Sequence, residues 1–268
     1  MVENLKGSFE NLGMPVKKPQ YNGYVVGSDS AGNEVLYFCF SQWGAPLFLL
    51  QVNPNTSEMR QIKVQGCSGH DCAFAKALVP GPDGRIYVGT APGGLILCFD
   101  PKKPEMDVKV LGRPSDTETY IYSLVVGKDG KLYGGTYGGA KLVSYDPATG
   151  RMEDLGCMDE TQMYSSNVTS GEDGLIYVGI GTARANIIAY NPENCRHWSI
   201  LPDEWRPEGR SGVVMKGKDG KVYAMVGDRY FIIEGGKVKT IPSEDYPGPP
   251  IQTLKDGRYV SKADLRSY

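Results

Sequence analysis

GPDGRIYVGT (residues 81–90), GKDGKLYGGT (127–136), GEDGLIYVGI (171–180) and GKDGKVYAMV (217–226) are copies of one pattern, set 46, 44 and 46 residues apart. In each, an Asp-Gly turn leads into an alternating apolar segment that carries a tyrosine: Tyr87, Tyr133, Tyr177 or Tyr223. That is the pattern of a hairpin feeding a half-buried strand. A weaker copy, AGNEVLYF (31–38), puts Tyr37 in the same role.

Downstream of Tyr37, Tyr87, Tyr133 and Tyr177 a further strand runs into Asp-Pro or Asn-Pro, in FLLQVNPNT, LILCFDP, KLVSYDPATG and IIAYNPEN. Asp and Asn initiate tight turns and proline forbids strand continuation, so these strands stop there. A short strand such as RMEDLG follows, and an apolar segment such as YIYSLVVG or SGVVMKG precedes every Asp-Gly. Four strands per unit, at a period in the forties, are the signature of propeller blades. The expected fold is therefore all-β, a β-propeller forming a single domain over residues 1–268. Its blades cover about 21–66, 67–117, 118–160, 161–207 and 208–243, with a partial unit at 248–268. GSFENLG resembles the outer strand RMEDLG, so residues 7–16 are the candidate for completing that last unit. About six units result, with a truncated seven-bladed ring as the alternative. An incomplete last blade would leave edge strands open to a homodimer or another protein partner.

Composition narrows the partners. With 29 Lys plus Arg against 31 Asp plus Glu, the formal charge is -2, and no basic surplus exists to neutralise a nucleic-acid backbone. No apolar run approaches the ~20 residues that span a bilayer, so no membrane partner is expected. The chain reads as cytoplasmic as written, or secreted if a signal peptide has been removed. The six cysteines lack the density of a disulfide scaffold, and most read as free thiols. Cys67 and Cys72 are close enough for a local bridge or a pair of metal ligands, but C-x4-C without a second pair disfavours zinc. No metal or other cofactor is expected.

In a propeller the Asp-Gly and Asp-Pro turns share one face. Ligand sites favour the other, built from the loops that enter each inner strand and those joining second and third strands. The entering loops GCSGHD, PSDTETY, MDETQMY and DEWRPEGR bring His70, Asp71, Tyr120, Tyr122, Tyr164 and Arg210 there. The remaining loops add Trp43, Tyr137, Arg184 and Arg229. Arginine forks take carboxylates and flat rings stack on sugar faces, so an acidic saccharide or another small anion suits this rim. The repeated tyrosines serve blade packing, since a residue recurring in every unit serves the unit.

The GxDGxxYxGT and YDPxTG repeat, clearest over residues 81–236, resembles that of bacterial propellers found in carbohydrate-utilisation contexts. It is more distantly similar to virginiamycin B lyase and NHL-type propellers. Some propeller polysaccharide lyases are similar as well and use His, Tyr and Arg for β-elimination on a uronate. That resemblance implies Arg184 or Arg210 on the substrate carboxylate, His70 or Tyr164 as base, and a tyrosine as acid. Whether the chain is an enzyme is open; if so, it is a carbon-oxygen lyase acting on polysaccharides. The first reading is a propeller that binds a small molecule, saccharide or anion. Lyase-like elimination and a protein-interaction scaffold are the alternatives. No GxSxG elbow occurs, which disfavours nucleophilic hydrolysis of that type.

Overall fold

The computed structural model describes residues 19–248 and 251–259. Among these residues twenty strands fall into five antiparallel groups of four, each running inner to outer in chain order. The first sheet holds β1 (Gln20–Ser28), β2 (Glu34–Ser41), β3 (Phe48–Val52) and β4 (Met59–Ile62). The second holds β5 (Phe74–Pro80), β6 (Ile86–Ala91), β7 (Ile96–Phe99) and β8 (Lys109–Gly112). In the third are β9 (Tyr120–Val126), β10 (Leu132–Tyr137), β11 (Lys141–Tyr145) and β12 (Met152–Cys157). The fourth comprises β13 (Tyr164–Ser170), β14 (Ile176–Gly181), β15 (Asn186–Asn191) and β16 (Arg196–Ser199). The fifth comprises β17 (Gly212–Lys216), β18 (Val222–Val226), β19 (Arg229–Glu234) and β20 (Lys237–Ile241). Each inner strand lies beside the inner strand of the next sheet, from β1 through β5, β9 and β13 to β17. This is blade packing, and the fold is a β-propeller.

The turn motif explains itself atom by atom. Tyr87, Tyr133 and Tyr223 donate their hydroxyls to Asp83, Asp129 and Asp219 at 2.8, 2.8 and 2.9 Å, and Tyr177 donates to Asp173 at 2.6 Å. The other oxygen of each aspartate accepts a backbone N–H two residues on. Each tyrosine ring lies against the glycine six residues before it, so closely that any Cβ at Gly81, Gly127, Gly171 or Gly217 would collide with it. Spacing, carboxylate and glycine are thus one device that closes a hairpin over a buried ring. On the same face, Asn53, Asp100, Asp146 and Asn191 each cap their proline turn through a side-chain oxygen.

Every hydrophobic layer but one lies between neighbouring blades. One layer joins Tyr37, Leu49 and Ile62 to Ile86 and Phe99, and the next joins Tyr87 and Ile96 to Leu132 and Tyr145. Ring pairs mark the same joint: Tyr37 with Phe99 at 5.8 Å, Tyr87 with Tyr145 at 5.7 Å and Tyr133 with Tyr190 at 6.3 Å. Such an array is held by nearest-neighbour interfaces rather than by a single centre.

The first hairpin departs from the pattern. Ten residues separate Gly27 from Tyr37 instead of six, and the Tyr37 hydroxyl reaches the Ser28 carbonyl at 2.8 Å in place of an aspartate. The longer hairpin meets a fifth Asp-Gly turn, Asp256-Gly257. Leu254 N to Arg258 O (2.8 Å) and Arg258 N to Asp256 (3.0 Å) repeat the turn bonds of the other copies. Leu254, standing where those copies have glycine, packs on Leu36 and Phe38, on the face of the first blade turned away from the second. Lys255 N donates to Glu34 at 2.9 Å, and Arg258 reaches Pro54 O and Asn55. The segment at 7–16 considered for completing this unit lies outside the described residues, as does 260–268.

Candidate functional site

The face opposite the Asp-Gly turns is irregular, and its irregularity begins in the backbone. Pairing between first and second strands slips by one residue near the start of four inner strands. The residue left without a partner is Asn22 in β1, Lys76 in β5, Tyr122 in β9 and Ser166 in β13; β17 pairs without a slip. Bulges of this kind re-aim a side chain and recur beside binding sites. Four blades thus each carry one bulged residue near the start of the inner strand, on the face opposite the Asp-Gly turns, where Asn22 accepts from the Ser41 hydroxyl of its own blade. Neighbouring members meet there, since the Lys76 ammonium lies 5.6 Å from the centre of the Tyr122 ring.

Around Tyr122 four tyrosines form one cluster. Tyr137 packs on Tyr164 at 4.5 Å and on Tyr120 at 5.2 Å, while Tyr122 contacts Tyr120 at 5.5 Å and Tyr164 at 5.8 Å. All four are half-buried. Burial, reinforced by the neighbouring phenols, raises the pKa of Tyr122 and of Tyr164 above that of free tyrosine. The Tyr122 and Tyr164 phenols thus keep their protons near pH 7 and serve as hydrogen-bond donors. Directly after Tyr122 and Tyr164 in the chain, the buried hydroxyls of Ser123 and Ser165 have no partner among the described residues.

The turn carrying Tyr137 is braced from two sides. Gly138 N and Ala140 N both donate to Met163 O, at 3.1 and 3.2 Å, which ties the third blade to the entry of the fourth. The Glu118 carboxylate, 2% exposed, accepts Gly139 N at 2.9 and 3.0 Å and the Thr136 hydroxyl at 2.5 Å. The cluster is thereby preorganised, with the ordering cost met on folding rather than on binding.

A second aromatic pair repeats this joint two blades earlier. Trp43, in the turn between β2 and β3, meets Phe74, the first residue of β5, edge to face at 4.5 Å. Tyr137, the last residue of β10, and Tyr164, the first of β13, make the comparable contact between the third and fourth blades. The Trp43 turn leans on the loop closed by a Cys67–Cys72 disulfide: Leu47 N donates to Cys72 O at 2.7 Å, and Gly69 lies against Gly44 and Ala45. Of the two roles open to this cysteine pair, the bridge is the one formed, and Cys39, Cys98, Cys157 and Cys195 are free thiols.

The remaining candidates fall into separate places. His70 is exposed in the disulfide loop and shares a 3.2 Å contact with Asp71. That contact, with help from Ser68, holds the Asp71 carboxyl below the usual aspartate range. Arg184 is engaged by its own surroundings: Nε donates to Arg206 O at 3.0 Å, and Nη2 donates to Asp203 O and pairs with the Asp203 carboxylate, each at 2.9 Å. No described contact joins His70, Tyr164 and Arg184. Arg210 and Arg229 line an open cleft of ≈ 460 Å³ with Trp205, Glu204, Glu208 and Asp228, and Arg229 stacks over Trp205 at 5.5 Å.

Sequence reasoning missed Lys76, Phe74 and Glu118. The available signal was a charge inside an apolar inner strand, AFAKALVP, at the place where YIYSLVV has Tyr122. Among the described residues no helix is long and apolar enough to cross a membrane.

No protein-family model matches this chain, and no curated protein does. Solved structures do match in fold. A catalytically inactive virginiamycin B lyase from Staphylococcus aureus with quinupristin has a TM-score of 0.63 at 14% identity, covering 88% of this chain and 77% of that one. The periplasmic gluconolactonase of Pseudomonas aeruginosa has a TM-score of 0.56 at 13% identity, covering 87% and 76%. A third, the extracellular domain of a protein assigned to a hybrid two component system of B. thetaiotaomicron, has a TM-score of 0.53 at 12% identity, covering 89% and 35%. The chain is an all-β propeller, distantly similar in fold to the virginiamycin B lyase and gluconolactonase-type propellers.

Proposed function

We propose that this propeller binds a saccharide or another small polar anion at the mouth formed by its second, third and fourth blades. The observation that carries the reading is the contact between the Lys76 ammonium and a braced cluster of four tyrosines. Flat, half-buried rings offer stacking surface, neutral phenols donate hydrogen bonds, and one cation nearby favours a carboxylate. Elimination on a uronate is less well supported, because the raised pKa of Tyr164 leaves little phenolate to act as base near neutral pH and Arg184 is already paired. A closed Cys67–Cys72 bridge fits an oxidising compartment, so we infer a secreted or periplasmic setting.

Calorimetric titration with glucose, galacturonate and glucuronate, alone and as short oligomers, tests the reading. Binding is expected to favour the uronates, with Lys76→Met removing that preference and Tyr137→Ala weakening every ligand by about tenfold or more. His70→Ala is expected to bind as the parent does. Unchanged binding in Tyr137→Ala would place the ligand elsewhere.

A further inference from the structure

The aromatic joint occurs twice on the same face. In both copies a ring at or just beyond the end of a second strand packs at 4.5 Å on the ring that opens the next blade's inner strand: Trp43, in the turn after β2, on Phe74, and Tyr137, the last residue of β10, on Tyr164. At the intervening joint the turn after β6 carries Pro92, Gly93 and Gly94 in place of a ring. The spacing of the two copies limits what one ligand could touch. Sheets pack about 10 Å apart, so joints two blades apart are separated by on the order of 20 Å along the rim. That separation is beyond one sugar ring and within reach of a short oligomer.

Trp43 is 68% exposed, yet its turn is firmly held. Gln42 N donates to Ala73 O at 3.0 Å, Gln42 Nε2 to Pro46 O at 3.0 Å, and Leu47 N to Cys72 O, so the turn and the disulfide loop move as one body. An exposed indole held this way does not serve the core, where it contributes little. It presents a large apolar plate to solvent at low conformational cost.

Resting on the mouth reading above, we propose that the ligand is an oligosaccharide rather than a single sugar, lying along the rim from the tyrosine cluster to a separate stacking subsite at Trp43. Lys76, in the strand that Phe74 opens, stands between the two aromatic joints and meets a carboxylate of an intermediate residue. The disulfide holds the outer subsite in place.

The test is an affinity ladder with galacturonate oligomers of one to six residues, with cello-oligomers of the same lengths as neutral probes. Affinity is expected to rise about tenfold between monomer and tetramer. Trp43→Ala, or reduction of Cys67–Cys72, is expected to remove the rise and leave monomer binding unchanged, whereas Tyr137→Ala weakens all lengths. Tryptophan emission is expected to change on adding tetramer but not monomer, and that change is expected to vanish in Trp43→Phe, a variant that keeps a ring in place. Affinity that is flat with length while Tyr137→Ala still weakens binding would overturn the extended site and leave the mouth reading standing. Failure of every oligomer in both ladders to bind would overturn both.

Discussion

The two faces of this propeller are built by opposite rules. On the Asp-Gly face four blades repeat the same bonds: a buried tyrosine donates to an aspartate, and a glycine lies under the ring. On the entering face the corresponding positions differ in every blade. The bulged residues are Asn22, Lys76, Tyr122 and Ser166, and the entering loops are tied by a disulfide, by Glu118 or by an Asp159–Arg206 pair. Chemistry that recurs serves the blade, and chemistry that varies is free to serve a ligand. Substitutions on the first face should therefore cost stability, and those on the second should cost binding.

The largest stability effect is expected at Tyr177, which is fully buried and holds both Asp173 and, through its hydroxyl, Gly236 N at 2.9 Å. Tyr177→Ala should lose about 4 kcal/mol in urea unfolding. Gly127→Val comes next. Its branched side chain would enter the space of the Tyr133 ring and the Asp129 carboxylate, at a cost of about 3 kcal/mol. A loss below about 1 kcal/mol at either position would break the claim that this face is the scaffold.

Asp159 sharpens the comparison because it is a structural ion pair on the variable face. Its carboxylate lies 3.0 Å from Arg206 and also accepts from Asn186 and Thr161. Burial pushes its pKa up, but these donors outweigh it and the net shift is downward. A carboxyl depressed in the folded state adds stability above the unfolded value of about 3.9 and loses it as pH falls through the folded value. Asp159→Asn should cost about 2 kcal/mol at neutral pH and flatten the loss of stability below about pH 4. An unchanged acid limb in pH-dependent unfolding would contradict this assignment. The smallest effect on stability is expected from Tyr137→Ala, under about 1 kcal/mol, beside a tenfold or greater loss of ligand affinity.

The scaffold was legible in the sequence because each repeat carries its whole device within seven residues, glycine, aspartate and tyrosine together. The mouth was legible only residue by residue. Tyr120, Tyr122, Tyr137 and Tyr164 could each be placed on the rim from topology. Their convergence depends on a one-residue slip in pairing, and local spacing does not announce such a slip. Lys76 was hidden for the same reason. Arg184 illustrates the converse: a lone arginine in a loop looks available, but the 3-10 turn at Asp203–Trp205 returns to meet it with a carbonyl and a carboxylate. Leu254 shows how a repeat can be kept in its backbone and altered in its packing, with the turn bonds preserved and the glycine replaced by a side chain that docks on the first blade.

Hydrogen exchange with and without a saturating mixture of short galacturonate oligomers tests the division between faces most directly. Slowed exchange is expected at the starts of β5, β9 and β13, in the turn that carries Trp43 and at the end of β10, with no change at the Asp-Gly turns. Protection concentrated at residues 81–85, 127–131 and 171–175, with the mouth unaltered, would contradict it.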